Sequence, residues 1–157
     1  MILRGRVYAA IVVIVLAAVF GAGQDLPGNA KLVFVNAPVE VVNNGYRFRM
    51  YEIEVVNRAE FADELFAASP DLPPCGKNSN SSRTWINIYD EKGKRLYGWC
   101  AINSMEELSS LKFNIPAGDK QPKRIYMEFV DRRDGKMVKS NQAKVPSPGD
   151  LIPLNDQ

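Results

Sequence analysis

The sequence has no histidine among its 157 residues, and it has only two cysteines. Histidine is the usual base that activates a serine or cysteine nucleophile, and it is the commonest transition-metal ligand. Glycine-rich phosphate-binding loops of the Walker or Rossmann kind are missing as well. These absences exclude the most common designs of hydrolases, metalloenzymes and nucleotide-binding enzymes.

Acidic residues occur in pairs, but without the spacing of a calcium site. Asp63-Glu64, Asp90-Glu91 and Asp131 with Asp134 fall where turns or a helix start are expected. None follows the alternating oxygen-ligand pattern of an EF-hand. A Ser-Lys dyad that uses Lys77, or a carboxylate pair, stays open, although such residues are common in loops. We expect no metal, no cofactor and no catalytic activity.

Neither sign of charge dominates the chain. There are 20 lysines and arginines against 18 aspartates and glutamates, and two of the arginines, Arg4 and Arg6, lie at the N-terminus. Without those two, basic and acidic residues are equal in number and the net charge is about zero. Nucleic-acid-binding domains generally carry a basic stripe or a basic domain. The balance argues against nucleic acid as a partner.

The first 23 residues have the pattern of a secretory signal peptide. Arg4 and Arg6 precede an apolar run over 7–20, and Gly21, Ala22 and Gly23 follow it. A basic start, an apolar stretch of about 7–15 residues and a small-residue exit define such a segment. Cleavage is expected after Gly23, with Ala22 as the alternative. The rival interpretation is an uncleaved membrane anchor, because the uncharged run is close to the roughly 18–20 residues that span a bilayer.

Export would place the two cysteines in an oxidising compartment. Disulfides form and persist there, so a bridge between Cys75 and Cys100 is expected, with two free thiols as the alternative. By the chain-entropy argument, closing the loop over 75–100 would stabilise the fold by roughly 3–4 kcal/mol.

Runs of alternating apolar and polar residues recur along the rest of the chain. Two connections have hairpin signals: Gly93 in DEKGK suits a three-residue loop with a bulge, and Asp134-Gly135 is a strong short turn. Runs of this kind, bounded by turn residues, are typical of β-strands. Seven are present, at 31–36, 46–56, 84–90, 95–102, 111–115, 123–131 and 137–145. They predict an all-β fold, a seven-stranded antiparallel β-sandwich.

One segment has a helical pattern. In AEFADELFA, residues 59–67, the side chains of Phe61, Leu65 and Phe66 fall near one helix face. We expect a single short helix here, within the long link 57–83 between the second and third strands.

The second run changes phase along its length. Phe48 and Met50 share one phase, whereas Ile53 and Val55 share the other. A bulge near 50–51 is the preferred explanation, and burial of both faces of the strand is the alternative.

The order of the runs supports a resemblance. With the link NIPAGDKQPKRIYMEFV and the closing hairpin at Asp134-Gly135, residues 31–145 resemble a fibronectin type III or immunoglobulin-like sandwich. The stretch ELFAASPDLPPCGKNSNSSRTWINIYD is similar to one in uncharacterised exported bacterial proteins. The resemblance implies a bacterial periplasmic or extracellular location, and it carries no activity that can be transferred. A shared sandwich fold implies no function by itself.

The hairpin of 84–90 with 95–102 has the most specific constellation of side chains. With a three-residue loop at 91–93, Trp85 would face Trp99. Four rings then share one face: Trp85, Tyr89, Tyr97 and Trp99. A two-residue turn would instead pair Trp85 with Cys100 and divide the rings between the faces. The first register is preferred because Gly93 falls where the bulge needs a left-handed residue.

The aromatic stripe has two interpretations. In the preferred one, the link 57–83 covers it with Phe61, Leu65 and Phe66. In the other, part of it stays open and stacks against a protein or carbohydrate partner. The candidate partner-binding residues are Trp85, Tyr89, Tyr97, Trp99, Lys77 and Asn80.

The sequence thus predicts an exported, non-catalytic β-sandwich that binds or supports a partner at the cell envelope or outside the cell. The alternative is a small secreted hydrolase inhibitor that presents the disulfide-held loop 68–83. A monomer is expected, with no membrane contact unless the signal segment stays attached. The expected organisation is a signal peptide (1–23), an N-terminal lead (24–30), one sandwich domain (31–145) and a proline-rich tail (146–157).

Overall fold

The structure is a computed structural model that describes residues 26–76 and 81–147. The expected signal peptide, Lys77, Asn80 and the tail from 148 onward lie outside the described residues. No helix in the described ranges is long and apolar enough to cross a membrane.

Antiparallel β-strands dominate the described part of the chain, as the alternating runs predict. Two sheets pack against each other around one core, which makes the fold an all-β sandwich. Nine strands are present in the described ranges: β1 (Leu32–Phe34), β2 (Val39–Asn43), β3 (Tyr46–Val55), β4 (Thr84–Asp90), β5 (Arg95–Trp99), β6 (Leu111–Pro116), β7 (Arg124–Asp131), β8 (Met137–Lys139) and β9 (Ala143–Lys144). The number exceeds the seven expected runs because β2 was not predicted and the last run divides into β8 and β9.

The smaller sheet is built around β3. Strand β6 pairs with one edge of β3, and β1 and then β2 pair with the other edge. The register against β3 changes between β1 and β2, since Phe34 pairs with Ile53 but Val39 pairs with Met50. Two extra residues are therefore accommodated in the edge strand over 35–38.

The bulge expected near 50–51 is not present, because β3 pairs with β6 without a shift from Phe48 to Ile53. The irregularity lies instead in the edge strand, between β1 and β2. Phe48 and Met50 differ in burial from Ile53 and Val55 because they point to the opposite, outer face of the sheet.

Strands β2 and β3 form a tight hairpin. Asn43 pairs with Tyr46, and the two residues between them have positive φ, 50° at Asn44 and 80° at Gly45. This is a type I′ turn, which favours Asn-Gly because both central residues must be left-handed. The dipeptide Asn44-Gly45 was the sequence signal for this hairpin, and it was missed.

The larger sheet has the strand order β5-β4-β7-β8, and β9 pairs with β7 on the same edge as β8. The β7–β8 connection contains Asp134-Gly135, as predicted, with Gly135 at a φ of 73°. The Asp131 N–H donates to the Lys136 carbonyl to close it.

The β4–β5 hairpin has the predicted loop but not the predicted register. Gly93 has a φ of 82°, and the Asp90 N–H donates to the Lys94 carbonyl, so the three-residue loop is present. A second irregularity follows, because Tyr89 pairs with Arg95 but Ile88 pairs with Tyr97. The extra residue moves Tyr97 and Trp99 to the inner face. The predicted pairing of Trp85 with Trp99 is therefore wrong, and the four rings do not share a face.

Aromatic rings connect the two sheets in the core. Tyr51 of β3 stacks on Phe113 of β6 at a centroid distance of 5.0 Å. Phe113 in turn lies 6.2 Å from Trp99 and 6.3 Å from Tyr97, both on β5. The rings moved inward by the β5 irregularity thus bridge the sheets.

The link 57–83 enters the core. Its predicted helix is replaced by two short 3-10 helices, Arg58–Glu60 and Asp63–Leu65, and a third one, Met105–Ser109, precedes β6. Phe61, Leu65 and Phe66 are all buried, and Phe61 lies 4.9 Å from Phe129 on the inner face of β7. These side chains fill the space between the sheets and do not cover the aromatic stripe.

The end of the link is fixed by the predicted disulfide between Cys75 and Cys100, which is confirmed. Ser82 supports it from both sides, since its N–H donates to the Cys100 carbonyl and its hydroxyl accepts the Ile102 N–H.

A buried ion pair joins the link to the larger sheet. Arg83 donates to Asp131 Oδ2 through Nε at 2.9 Å and through Nη2 at 2.5 Å, and Asp131 is 2% exposed. Burial alone would raise the pKa of the Asp131 carboxyl. The hydrogen bonds from Arg83 and from the Arg133 N–H outweigh it, so the pKa lies below its ordinary value.

Replacing Asp131 by Asn should lower the free energy of unfolding by about 3–5 kcal/mol, because it leaves the buried Arg83 charge without its counter-ion. Urea unfolding measures this. The matched control is Asp134→Asn, which removes an exposed ion pair with Lys136 and should cost less than about 1 kcal/mol. Equal losses in the two variants would contradict the account.

The same pair predicts a pH dependence. Since the folded pKa of Asp131 lies below the unfolded value of about 3.9, its stabilisation is complete above that pH and is lost as the pH falls through the folded pKa. Asp131→Asn should therefore flatten the acid limb of the unfolding free energy plotted against pH.

The Tyr51 hydroxyl is buried and has no hydrogen-bond partner among the described residues. Tyr51→Phe should therefore keep or raise the free energy of unfolding, by up to about 1 kcal/mol, because an unpaired buried polar group is removed. Tyr89→Phe is the control, since that hydroxyl bonds Glu128 and its loss should cost about 1 kcal/mol. A loss above 1 kcal/mol at Tyr51 would show that its hydroxyl has a partner.

Candidate functional site

The outer face of the larger sheet carries ordered aromatic and charged side chains. Ile86, Ile88, Ile125, Met127 and Phe129 point into the core. The alternate residues point outward, because successive side chains of a strand lie on opposite faces. On β4, β7 and β8 these are Trp85, Asn87, Tyr89, Arg124, Tyr126, Glu128, Val130, Met137 and Lys139. We call this surface the outer face.

Two tyrosines and an ion pair form its centre. Tyr89 and Tyr126 are cross-strand partners, with rings stacked at a centroid distance of 5.4 Å. Glu128 is 8% exposed, and its carboxylate accepts from Lys139 Nζ at 2.9 Å. Burial, and then the charge of Glu128, raise the pKa of Tyr89, and the hydrogen bond and charge of Glu128 raise the pKa of Lys139. The carboxylate of Glu128 thus contributes to raising the pKa of both neighbours.

Trp85 lies near the start of β4, beside Val130 near the end of β7, and so at one end of the outer face. The Arg132 guanidinium carbon is 3.8 Å from the centre of its ring, within the range of a cation–π contact. Its indole N–H donates to Ser81 Oγ at 3.0 Å. Both one ring face and the polar edge of Trp85 are thus engaged within the molecule.

Gly98 allows Arg95 to lie flat across the hairpin. The Arg95 Nε–H donates to Asn87 Oδ1 at 2.8 Å. A Cβ at Gly98 would fall 2.8 Å from Asn87 Oδ1 and 3.1 Å from Arg95 Cζ, which is closer than side chains tolerate. The glycine therefore has a packing role here, and its backbone is not left-handed.

The outer face is strongly basic although the whole chain is nearly neutral. Arg95 pairs with Tyr89, Lys144 pairs with Arg124, and Arg132 covers Trp85, so these side chains belong to it. With Lys139 this makes five basic residues (Arg95, Arg124, Arg132, Lys139 and Lys144) against two acids, Glu128 and Glu91, whose carboxylate accepts the Arg124 N–H. The outer side of the smaller sheet has Glu52 and Glu54 with Lys112. Positive charge is thus concentrated on one side of the sandwich.

The structure separates the predicted binding residues. Trp85 and Tyr89 lie half-buried on the outer face, whereas Tyr97 and Trp99 lie on β5 toward Phe113 in the core. Tyr97 is still 41% exposed. Lys77 and Asn80 lie outside the described residues.

Other members of the outer face were missed from the sequence, namely Tyr126, Glu128, Arg132 and Lys139. The alternation of Arg124, Tyr126 and Glu128 in KRIYMEFVDRR was the available signal. That alternation predicts a strand, and it also sets these three side chains on the same face of that strand.

Among the described residues, the titratable groups at the centre of the outer face are engaged with each other. Its one buried carboxylate, Glu128, is paired with Lys139, and the chain has no histidine. No group of three cysteines, aspartates and glutamates converges as metal ligands would in the described ranges. The arrangement presents fixed rings and positive charge, which suits binding.

Comparison with known proteins gave no match to a family model, to a curated protein or to a solved structure.

Gly98→Ala should displace Arg95 from Asn87 at little cost, because Arg95 is flexible and alanine loses less entropy than glycine in a strand. We expect the free energy of unfolding to change by less than about 1 kcal/mol, and the Arg95 Nε–H resonance to move in NMR spectra. Gly118→Ala is the control, since it has open space around it. An unmoved Arg95 resonance would contradict the described packing.

Proposed function

We propose that this protein is an exported, non-catalytic β-sandwich module of the fibronectin type III or immunoglobulin-like type that binds an acidic protein surface through its outer face. The observation that carries the proposal is the concentration of positive charge and aromatic rings on this face. Tyr, Trp and Arg are the residues most enriched in binding hot spots.

Strand order supports the assignment of fold type. Strands β1 and β2 occupy one edge of β3, and β8 and β9 occupy one edge of β7. Counting each interrupted edge as one strand gives three strands in the smaller sheet and four in the larger one. Immunoglobulin constant-type domains and related sandwiches also divide seven strands into sheets of three and four. Here the fourth strand, β5, pairs with the third strand, β4, whereas in a constant-type domain the fourth strand belongs to the sheet of the first, second and fifth strands.

The disulfide supports export, because bridges persist in oxidising compartments and are rare in the cytosol. The Cys75–Cys100 bridge is compatible with a periplasmic or extracellular protein. The expected signal peptide, which lies outside the described residues, would provide the route.

Occupied ring faces favour protein over carbohydrate as the partner. A sugar platform needs an open aromatic face, but Arg132 covers Trp85 and Tyr89 is stacked on Tyr126. What remains available is positive charge with ring edges between the charges. Such a surface complements carboxylates, and electrostatic complementarity gives specificity and fast association.

Charge reversal tests the proposal. Immobilised protein should capture an acidic protein from an envelope extract of its native host, and the purified pair should bind less tightly as salt increases. The triple variant Arg95→Glu, Arg124→Glu, Lys144→Glu should weaken binding by at least about 100-fold, since like charges across an interface cost several kcal/mol.

The matched control reverses three basic residues on or beside the smaller sheet, Lys31, Arg58 and Lys112. It carries the same change in net charge and should bind within about threefold of the wild type if the face determines binding. Equal weakening in both variants, or tight binding to a glycan array by the wild-type protein, would contradict the proposal.

A second candidate is the hydrolase inhibitor. Pro73 and Pro74 are exposed next to Cys75, so the disulfide presents a stiff segment at the surface. The same capture experiment tests this function. It would be favoured over the first if the captured protein is a hydrolase that the double variant Pro73→Ala, Pro74→Ala no longer binds and the charge-reversed variant still binds.

A further inference from the structure

A second exposed feature lies on the smaller sheet, far in sequence from the outer face. Strand β2 pairs with β3, and its other edge has no strand beside it in the described part of the chain. Two of its valines are well exposed, Val39 at 49% and Val42 at 71%. We call this free side of Val39–Asn43 the β2 edge.

The other sheet edges carry the features that usually prevent strand pairing. Lysine, proline and covered backbone groups are typical protections. Lys112 and Pro116 lie on β6, Arg95 on β5, and Lys139 and Lys144 on β8 and β9. On β1, the Asn141 side chain accepts the Leu32 N–H and donates to the Leu32 carbonyl. Strand β2 has Glu40 as its one charged residue and three valines.

The type I′ turn determines which backbone groups face outward. Asn43 and Tyr46 close a two-residue hairpin, so they exchange hydrogen bonds. Bonded pairs alternate along an antiparallel ladder, which directs the peptide groups of Val41 and Val39 toward β3. The N–H and C=O groups of Glu40 and Val42 therefore point to the β2 edge.

We propose that the β2 edge pairs with the β2 edge of a second copy of this chain, antiparallel and centred on Val41. In this register Glu40 of each copy lies opposite Val42 of the other. The outward-facing peptide groups of both copies can then exchange hydrogen bonds. The contact is isologous, as expected for a two-fold dimer. This inference stands apart from the proposed function, because it uses the other sheet.

Competing registers are poorer. A shift of two residues in one direction sets Glu40 opposite Glu40 of the other copy, and like charges directly opposite are destabilising. A shift in the other direction sets Glu40 opposite Asn44, which lies in the turn. The register centred on Val41 overlaps all five residues of the strand and opposes no like charges.

Side chains on both faces fit this pairing. On the outer side of the sheet, Val41 lies opposite Val41, and each is flanked by its cross-strand partner Phe48. On the other side, Val42 lies between its partner Arg47 and Glu40 of the second copy. Arg47 already forms an ion pair with Glu40 of its own chain across the hairpin. The dimer places a second carboxylate in the same row, so apolar and opposite-charge contacts both form.

Sedimentation velocity tests the proposal with the chain from Gln24 to Gln157, which includes every described residue. A strand-edge contact lies at the small end of interface sizes, so the dimer should be weak and should form as the concentration rises through the micromolar range.

Two substitutions at one exposed position should act in opposite directions. Val42→Glu sets like charges opposite each other and should raise the dissociation constant at least about tenfold, whereas Val42→Lys faces Glu40 and should keep or lower it. Adding Glu40→Lys to Val42→Glu should restore the dimer. Val56→Glu, at a side chain 48% exposed just beyond the end of β3 that lies away from the β2–β3 turn, is the control and should leave the dissociation constant unchanged.

A wild-type chain that stays monomeric throughout would overturn the proposal. A dimer that Val42→Glu and Val42→Lys weaken equally would also overturn it. Equal weakening would mean that dimerisation depends on an apolar contact of Val42 and not on Glu40 lying opposite it. Hydrogen exchange excludes a different occupant: if the Glu40 and Val42 amides are protected in a monomer, another segment of the same chain covers the edge and the proposal fails.

Discussion

The buried ion pair between Arg83 and Asp131 is the constraint on which the remaining structure depends. Arg83 ends the long link and Asp131 ends β7, so the pair fixes where the link rejoins the larger sheet. The adjacent pairs, Thr84 with Asp131 and Trp85 with Val130, begin the β4–β7 ladder from that point. The Arg132 N–H also donates to the Arg83 carbonyl, which brings Arg132 over Trp85. The end of the outer face is thus assembled by the same contact that anchors the link.

Because it is buried, this ion pair matters more for the free energy of unfolding than the exposed ion pairs do. Exposed pairs such as Arg47–Glu40 and Lys136–Asp134 contribute about 0–1 kcal/mol because water screens them. A buried pair is different, since losing one partner leaves a charge that the interior cannot solvate. The disulfide complements it by holding Cys75 and Ser82 beside the β5 end. With both in place, Phe61, Leu65 and Phe66 are positioned to fill the core between the sheets.

Sequence patterns predicted most of the strands and the disulfide, but not the face of the sheet on which the rings of β5 lie. Alternation and turn residues indicate where a strand begins and ends, and Gly93 predicted its loop correctly. The irregularity between the Ile88 and Tyr89 pairs has no comparable signal, because any residue of β5 can be the unpaired one. A shift of one residue moves every later side chain to the other face. It therefore divided Tyr97 and Trp99 from Trp85. The helix expected over 59–67 is replaced by two 3-10 helices, from which Phe61, Leu65 and Phe66 all reach the core. The β2–β3 hairpin, by contrast, was predictable from Asn44-Gly45.

The measurement that tests the account most directly is a double-mutant cycle on the ion pair. Arg83→Met, Asp131→Leu and the combined variant are unfolded in urea beside the wild type. We predict a coupling energy of about 2–3 kcal/mol between the two sites, with the double variant more stable than either single one. A coupling energy within about 0.5 kcal/mol of zero would show that the two sites act independently and would contradict the account.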